Sequence, residues 1–237
     1  MASRIQGLLN GHRDLTNAVS HEFKTPLSRL HFAVEMQETS KTEEEREIYT
    51  TKIKQNIASL EDLVGELLSY TRLQRQESLN IQEHHVEKWL NNELESFIEY
   101  HPNIELSIDI QAKGRLRFDA HLISRALNNL LNNAVTHSNS KVPNIKVTTK
   151  INNGSFHLFV EDNGLGIDAS NYDKIFEPFT QLDKSRQKKK KEILGGYGMG
   201  LAIVKSIIIQ HNGNVSCEDS DLGGVRIILS LPCSLTT

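Results

Sequence analysis

The strongest constraint on the fold is a long helical rhythm with one interruption. From Ile5 to about Leu73 the texture breaks only at "ETSKTEEE", residues 38 to 45, where Ser and Thr precede Glu as they do at a helix start. After the break, Ile53, Ile57, Leu60, Val64 and Leu67 step by four and three residues, and before it Ile5, Leu8, Leu15, Val19, Leu27 and Leu30 keep the same rhythm. Such a stripe packs helices side by side. Two helices joined by a short polar loop would leave much of each stripe wet, so two copies of the chain forming one four-helix bundle is the economical solution.

From about Ile81 the texture changes. The single tryptophan, Trp89, appears, and extended runs "IELSIDI", "IKVTTKI", "SFHLFVED" and "VRIILSLP" alternate with helical stretches, which predicts α and β elements in one layered domain. "TRLQRQESLN" is the expected hinge, near Arg72 to Gln76, giving domains at residues 1–76 and 77–237. The formal charge of -3, from 27 basic and 30 acidic residues, sets up no broad field of one sign, so neither nucleic acid nor an anionic membrane is implied as a partner. Cys217 and Cys233 have neither metal-ligand nor CxxC spacing and read as reduced thiols in a reducing compartment. No apolar stretch reaches membrane-spanning length, and the start lacks the apolar core of a signal peptide, so the chain as given is expected to be soluble.

Within the first helix, each residue advances by about 100°, so His21 lies roughly opposite the seam marked by Val19, Glu22 and Leu30 and faces water. A lone exposed histidine is ordinarily a solvated side chain. In "HEFKTPL" the neighbours add chemistry. Glu22 can accept a hydrogen bond from the ring, orient it and raise the basicity of the free nitrogen. Pro26 removes a backbone hydrogen bond and clashes with the Glu22 carbonyl, loosening the turn that carries both side chains. Thr25, one turn on, offers a hydroxyl that can hold a water.

Further along, "LNNLLNNAVTHS" puts Asn129 and Asn133 on one face of a helix whose other face is Leu127, Leu130, Leu131 and Ala134. Asparagine is a poor helix former, so this is either a solvated amide face or one rewarded by a ligand; amide oxygens suit Mg²⁺. "VEDNGLGI" ends a strand at Asp162 and sets Gly164 and Gly166 where the backbone can approach a flat ligand. "GGYGMGLAIV" sets Gly195, Gly196, Gly198 and Gly200 before an apolar helix, leaving backbone N–H groups free for phosphate. Any one of these turns could be a loop that merely needs glycine, but that does not explain the ordered set.

"HEFKTPL" resembles the phosphoacceptor box of two-component sensor histidine kinases. The Asn pair, DxGxG, "FEPF" at residues 176 to 179 and the glycines before a helix follow the order of the N, G1, F and G2 boxes of the ATP-binding fold that histidine kinases share with the GHKL ATPases. The resemblance runs from about Asp14 to Pro232 and closes on "CEDSDLGGVRIILSLP". Within the family, "AVSHEFKTPLSRL", "QLDKSR" and that closing stretch look most like RstB-type sensors.

The resemblance implies an α+β chain: a dimeric antiparallel four-helix bundle with two helices per chain, followed by a GHKL (Bergerat) α/β sandwich that binds ATP. It implies that Mg-ATP phosphorylates His21 with Glu22 assisting, that the phosphoryl group passes to an aspartate of a response-regulator receiver domain, and that Thr25 positions the water that later dephosphorylates the regulator. Asn133 would ligate Mg²⁺, Asn129 would support the triphosphate, and Asp162 would accept from the adenine amino group beside Gly164 and Gly166. Gly196, Gly198 and Gly200 would line the phosphate side of a mobile lid, with His137 and Leu201 also among the nucleotide contacts; Phe176 and Phe179 either seat that lid or belong to the core. The implied assembly is a homodimer with no nucleic acid and no membrane contact in this portion, the cytoplasmic part of a protein held in the bacterial inner membrane.

Two features depart from the family pattern. Thr136, followed by His137, stands where the family often carries Lys or Arg, and "RQKKKKEIL" inserts a lysine block that is either a solvated loop or a cation source, through Lys191, for the ATP phosphates. A GHKL ATPase of the chaperone or mismatch-repair kind would need a catalytic glutamate near the Asn pair, and no acid lies between Asp119 and Glu161. A catalytically inactive ATP-binding dimeric scaffold is the alternative reading. A nucleic-acid binder acting through the lysine run fits poorly with the negative net charge.

Overall fold

The computed structural model describes the backbone of residues 2–75, 78–182 and 196–233, with side chains from residue 16 onward within those ranges. The side chains of Ile5, Leu8 and Leu15, together with Gln76 of the expected hinge, Gly195 and the lysine block at residues 188 to 191, lie outside the described residues. By internal packing the chain divides into two compact units, Met1–Ser69 and Tyr70–Thr237. The last turn of α2 therefore groups with the second unit, where Leu73 is buried in the core.

The first unit is a helical hairpin made from α1 (Ala2–Thr39) and α2 (Glu43–Gln74). The polar break starts the second helix as its residue types predict. Thr42 Oγ1 accepts the Glu45 N–H at 3.2 Å while the Glu45 carboxylate accepts the Lys41 N–H at 3.0 Å, a reciprocal cap that satisfies donors the helix cannot. α1 continues through Pro26, whose ring is buried. Among the described residues, Pro26, Ala33 and Leu63 are buried in the hairpin, flanked by half-buried Val19, Leu30, Ile53, Leu60 and Leu67. Leu27, Phe32, Ile57, Val64 and Leu68 stay exposed. The single stripe read from the sequence is thus two adjacent faces, one covered within the hairpin and one not.

In the second unit a five-stranded sheet has the order β2-β4-β5-β7-β6, built from β2 (Glu105–Ile110), β4 (Asn144–Asn152), β5 (Ser155–Asp162), β6 (Asn214–Asp219) and β7 (Val225–Pro232). β2 runs parallel to β4; the other neighbours are antiparallel. A small ribbon pairs β1 (Gln82–His85) with β3 (Arg115–Phe118). Alternation assigns the faces: Val225, Ile227, Leu229 and Leu231 of β7 are all buried, as are Phe156, Leu158 and Val160 of β5. These side chains share one core with the apolar faces of α3 (Val86–Tyr100), α4 (Ala120–His137) and α5 (Gly200–Gln210). The observed fold, two long helices followed by an α/β sandwich, is the one expected.

Two anchors set the helices that carry the site. Trp89 of α3 donates its indole N–H to Ser124 Oγ of α4 at 2.9 Å and meets the Phe118 ring edge-on at 5.1 Å. Asp119 caps α4 by accepting the Leu122 N–H at 3.2 Å and also accepts the Asn80 N–H at 2.9 Å. The Asp119 backbone N–H in turn donates to Nε2 of buried His211 at 3.1 Å, while His211 Nδ1 lies 2.8 Å from the Ile207 carbonyl oxygen. Together these bonds specify a neutral ring with its proton on Nδ1, and they tie the start of α4 to the end of α5.

Burial pushes the His211 pKa below its ordinary value, outweighing the opposing pull of the Ile207 carbonyl and the Asp119 charge. The unfolded chain therefore binds a proton that the folded chain refuses. The stability this histidine contributes is complete above its unfolded value of about 6.5 and is lost as pH falls through the lowered folded value. Urea unfolding across this acid range is expected to show a steeper loss of stability in the wild type than in His211→Gln.

Candidate functional site

On α1, the His21 side chain is 68% exposed, and its Nδ1 lies 3.4 Å from Glu22 Oε1. The helix turns the ring outward because Val19, Glu22 and Pro26 occupy the covered side. With Nδ1 directed to the carboxylate, Nε2 is the nitrogen left toward solvent. Thr25, one turn further along, is also exposed. An imidazole in this position is open to a large partner from the solvent side.

In the second unit, α4 and α5 bring the two asparagines and the last glycine together. Asn129 Nδ2 donates to the Gly200 carbonyl at 3.4 Å, and a side chain added at Gly200 would stand 3.9 Å from both Asn129 Cγ and Asn133 Nδ2. The amide face is half-buried, and behind it Leu127, Leu130, Leu131 and Ala134 are buried as expected. Amide oxygens next to a helix N-terminus suit a hard cation shared with phosphate. His137 and Thr136 end α4 with exposed side chains, and Leu201 is half-buried against the core.

The Asp162 turn is the most constrained part of the unit. Asp162 Oδ1 accepts two backbone N–H groups, from Gly164 at 2.8 Å and Val225 at 3.2 Å, so among the described residues Oδ2 is left without a protein donor. Burial raises the carboxyl pKa, and the two backbone bonds oppose that shift. Gly164 must be glycine, because an added Cβ would lie 2.9 Å from the His137 carbonyl oxygen. Gly166 takes a positive φ of 71°. Asn163 locks the turn from the α4 side, its Oδ1 accepting Ser138 Oγ at 3.0 Å and the Asn144 N–H at 3.1 Å. Burial also pushes the Cys217 thiol up to about 12, with the Asp162 charge adding to the shift, which keeps it protonated near neutral pH.

A second pair of turns closes beside the described end of the glycine segment. The Phe179 N–H donates to the Gly198 carbonyl at 2.9 Å, and Gln181 Nε2 donates to the Gly196 carbonyl at 3.2 Å. Phe179 itself has a φ of 62°, an uncommon conformation for a bulky residue. Phe176 is buried in the core, whereas Phe179 is half-buried, which separates two residues the sequence left equivalent.

Sequence reasoning missed the contributions of Asn163, Gly224 and Val225. The Gly224 N–H donates to the Asp162 carbonyl at 3.1 Å. The adjacent glycines in "DLGGV" were a visible signal of a close approach, but nothing local says to which strand.

Residues 118–235 match the family described as histidine kinase-, DNA gyrase B-, and HSP90-like ATPase, and residues 12–76 match the His Kinase A (phospho-acceptor) domain. The chain is 36% identical to sensor protein RstB of Escherichia coli K12, covering 98% of this chain and 51% of that protein. It spans about half the length of the curated relatives it matches. Among solved structures, histidine kinase ThkA in complex with response regulator protein TrrA superposes with a TM-score of 0.75 at 24% identity, covering 97% of this chain and 64% of that one. Full-length ShkA in complex with AMPPNP gives a TM-score of 0.67 at 21% identity, covering 98% and 46%. At these identities the structural matches speak for the fold.

An alanine at position 224 would put its Cβ 2.1 Å from Asp162 Oδ1 and 2.4 Å from the Gly164 nitrogen. Gly224→Ala is expected to cost about 1–3 kcal/mol in urea unfolding. Gly196→Ala, where an added Cβ meets nothing within 4 Å, is expected to stay within about 0.5 kcal/mol of wild type.

Proposed function

The chain belongs to the histidine kinase family, and from that premise we propose that it is the cytoplasmic kinase portion of a two-component sensor, which phosphorylates His21 from ATP and passes the phosphoryl group to a response-regulator aspartate. The observation that carries the reading is the exposed His21 ring with Nδ1 turned to Glu22. It occurs in a chain whose other unit holds the Asn129 and Asn133 face, a carboxylate with one oxygen left open, and paired glycine turns.

The proton on His21 Nδ1 is shared with Glu22, which leaves the Nε2 lone pair to attack the γ-phosphorus. As the N–P bond forms, the bond from phosphorus to the bridging oxygen breaks, and ADP leaves with the electron pair. Such transfer depends mainly on positioning and charge neutralisation. Mg²⁺, when bound, supplies that neutralisation; the Asn133 amide oxygen is the hard donor suited to hold it, and Asn129 supports the triphosphate. Asp162 Oδ2 accepts from the adenine amino group while Oδ1 stays held by the backbone. Gly164 and Gly166 let the backbone approach the base, and His137, Gly196, Gly198, Gly200 and Leu201 line the remaining nucleotide surface.

The phosphoramidate formed at His21 transfers readily because protonation of its nitrogen makes a good leaving group, which suits relay to an aspartate. Thr25 then orients a water for hydrolysis of the regulator's aspartyl phosphate. The ThkA complex with a response regulator supports this class of partner, and the ShkA complex with AMPPNP supports the nucleotide. The uncovered apolar face of the hairpin, Leu27, Phe32, Ile57, Val64 and Leu68, supports a homodimer.

Incubation with γ-labelled ATP is expected to give an acid-labile, alkali-stable label on the wild type and none on His21→Gln. Label that survives in His21→Gln sinks the assignment. An inactive scaffold, the alternative left open by Thr136 in place of the family's usual Lys or Arg, requires ATP binding with no label on the wild type. Thr25→Ala is expected to keep autophosphorylation and slow regulator dephosphorylation on the order of 10–100-fold, the cost of a misplaced water.

A further inference from the structure

On the sheet face opposite Asp162, one row of side chains alternates in charge across four adjacent strands. Lys146 of β4 is registered against Glu161 of β5, Glu161 against Arg226 of β7, and Arg226 against Glu218 of β6. Glu161 is only 3% exposed, and Arg226 Nη2 donates to it at 2.8 Å. Lys146 Nζ stands 3.9 Å from Glu161 Oε1, and Ser220 Oγ donates at 3.4 Å to Oε2, the oxygen that Arg226 holds. The Arg226 guanidinium also donates to Glu218 at 2.9 Å and to Asp221 at 2.7 Å. One side chain therefore bridges a buried carboxylate next to Asp162, Glu218 near the end of β6 and Asp221 in the β6–β7 turn.

That turn supplies the N–H groups that orient Asp162. The Gly224 N–H donates to the Asp162 carbonyl, and the Val225 N–H donates to Oδ1. Gly224 approaches so closely that no side chain fits, and Val225 beside it is buried in the core. The charge row crosses the opposite face at the same register, alongside the backbone ladders that pair β7 with β5 and with β6.

We propose that Arg226 and Glu161 are positioning residues that set nucleobase selectivity, holding the β6–β7 turn against β5 so that Asp162 Oδ1 is occupied and Oδ2 is aimed at an exocyclic amine. This rests on the reading of the Asp162 pocket as an adenine site. If the clamp is released, Asp162 rotates or recruits water, and a base with an amine at the purine 6-position loses its advantage over one with an oxygen there. Contacts to the phosphates, made by other elements, are untouched.

The test is calorimetric titration of the 237-residue chain with ATP and with inosine triphosphate, in which a 6-oxo group replaces the amine. Arg226→Met is expected to weaken ATP about tenfold and leave inosine triphosphate nearly unchanged, collapsing the preference, because a charge-assisted network is worth roughly that much. A variant that only lowered global stability would not change the ratio. Should Arg226→Met fail to fold, Arg226→Lys carries the same test: it keeps a cation against Glu161 but cannot span to Glu218 and Asp221, so the ratio falls by less and in the same direction. Asp162→Asn is titrated in parallel. Selectivity lost in Asp162→Asn but kept in the Arg226 variants overturns the positioning role alone. Selectivity kept in Asp162→Asn overturns the adenine reading, and this inference with it.

Discussion

The site depends on one awkward requirement, a carboxylate half-buried at the end of a central strand. β5 lies in the middle of the sheet, and its inward row of Phe156, Leu158 and Val160 ends on Asp162. Removing that carboxylate from water is unfavourable unless donors replace the lost hydration. Two backbone N–H groups do so on one oxygen, one from the next turn of the same chain segment and one from β7. Satisfying them forces glycine at positions 164 and 224 and draws the end of α4 against the turn. Among the described residues, Oδ2 is the oxygen that remains without a protein donor after these needs are met.

The same logic of partial satisfaction holds in the helical hairpin. Among the described residues its covered face centres on Pro26, Ala33 and Leu63, and an apolar strip beside it stays in water. A hairpin so built gains by covering that strip with another. Pro26 and His21 occupy opposite sides of α1: the proline is buried and the imidazole is in solvent.

Much of this was legible from residue types. The helix start at Thr42, the outward direction of His21, the amide face of α4 and the Asp162 turn each follow from a local rule of periodicity, capping or glycine conformation. The sequence left Phe176 and Phe179 equivalent because "FEPF" says only that two aromatics are near; burial and a positive φ distinguish them. The apolar stripe was read as one seam, since a step of four and three does not say which neighbour covers which flank. Gly224, Val225 and Arg226 went unassigned for a different reason. Their partners on β5 are more than sixty residues away in sequence, and strand pairing at that separation leaves no local trace.

The chain's order of residue types by itself determined that a helical pair precedes an α/β layer, that a solvent-facing histidine has a glutamate beside it, and that glycines punctuate three turns in a fixed order. These are properties of short windows, where backbone preference and periodicity act over one or two helical turns. Only the tertiary structure decided which backbone donors hold Asp162, that a row of opposite charges crosses four strands behind it, and that His211 is neutral and ties α4 to α5. Those outcomes are set by the sheet order and by burial, which join distant segments and change what each polar group costs once water is gone.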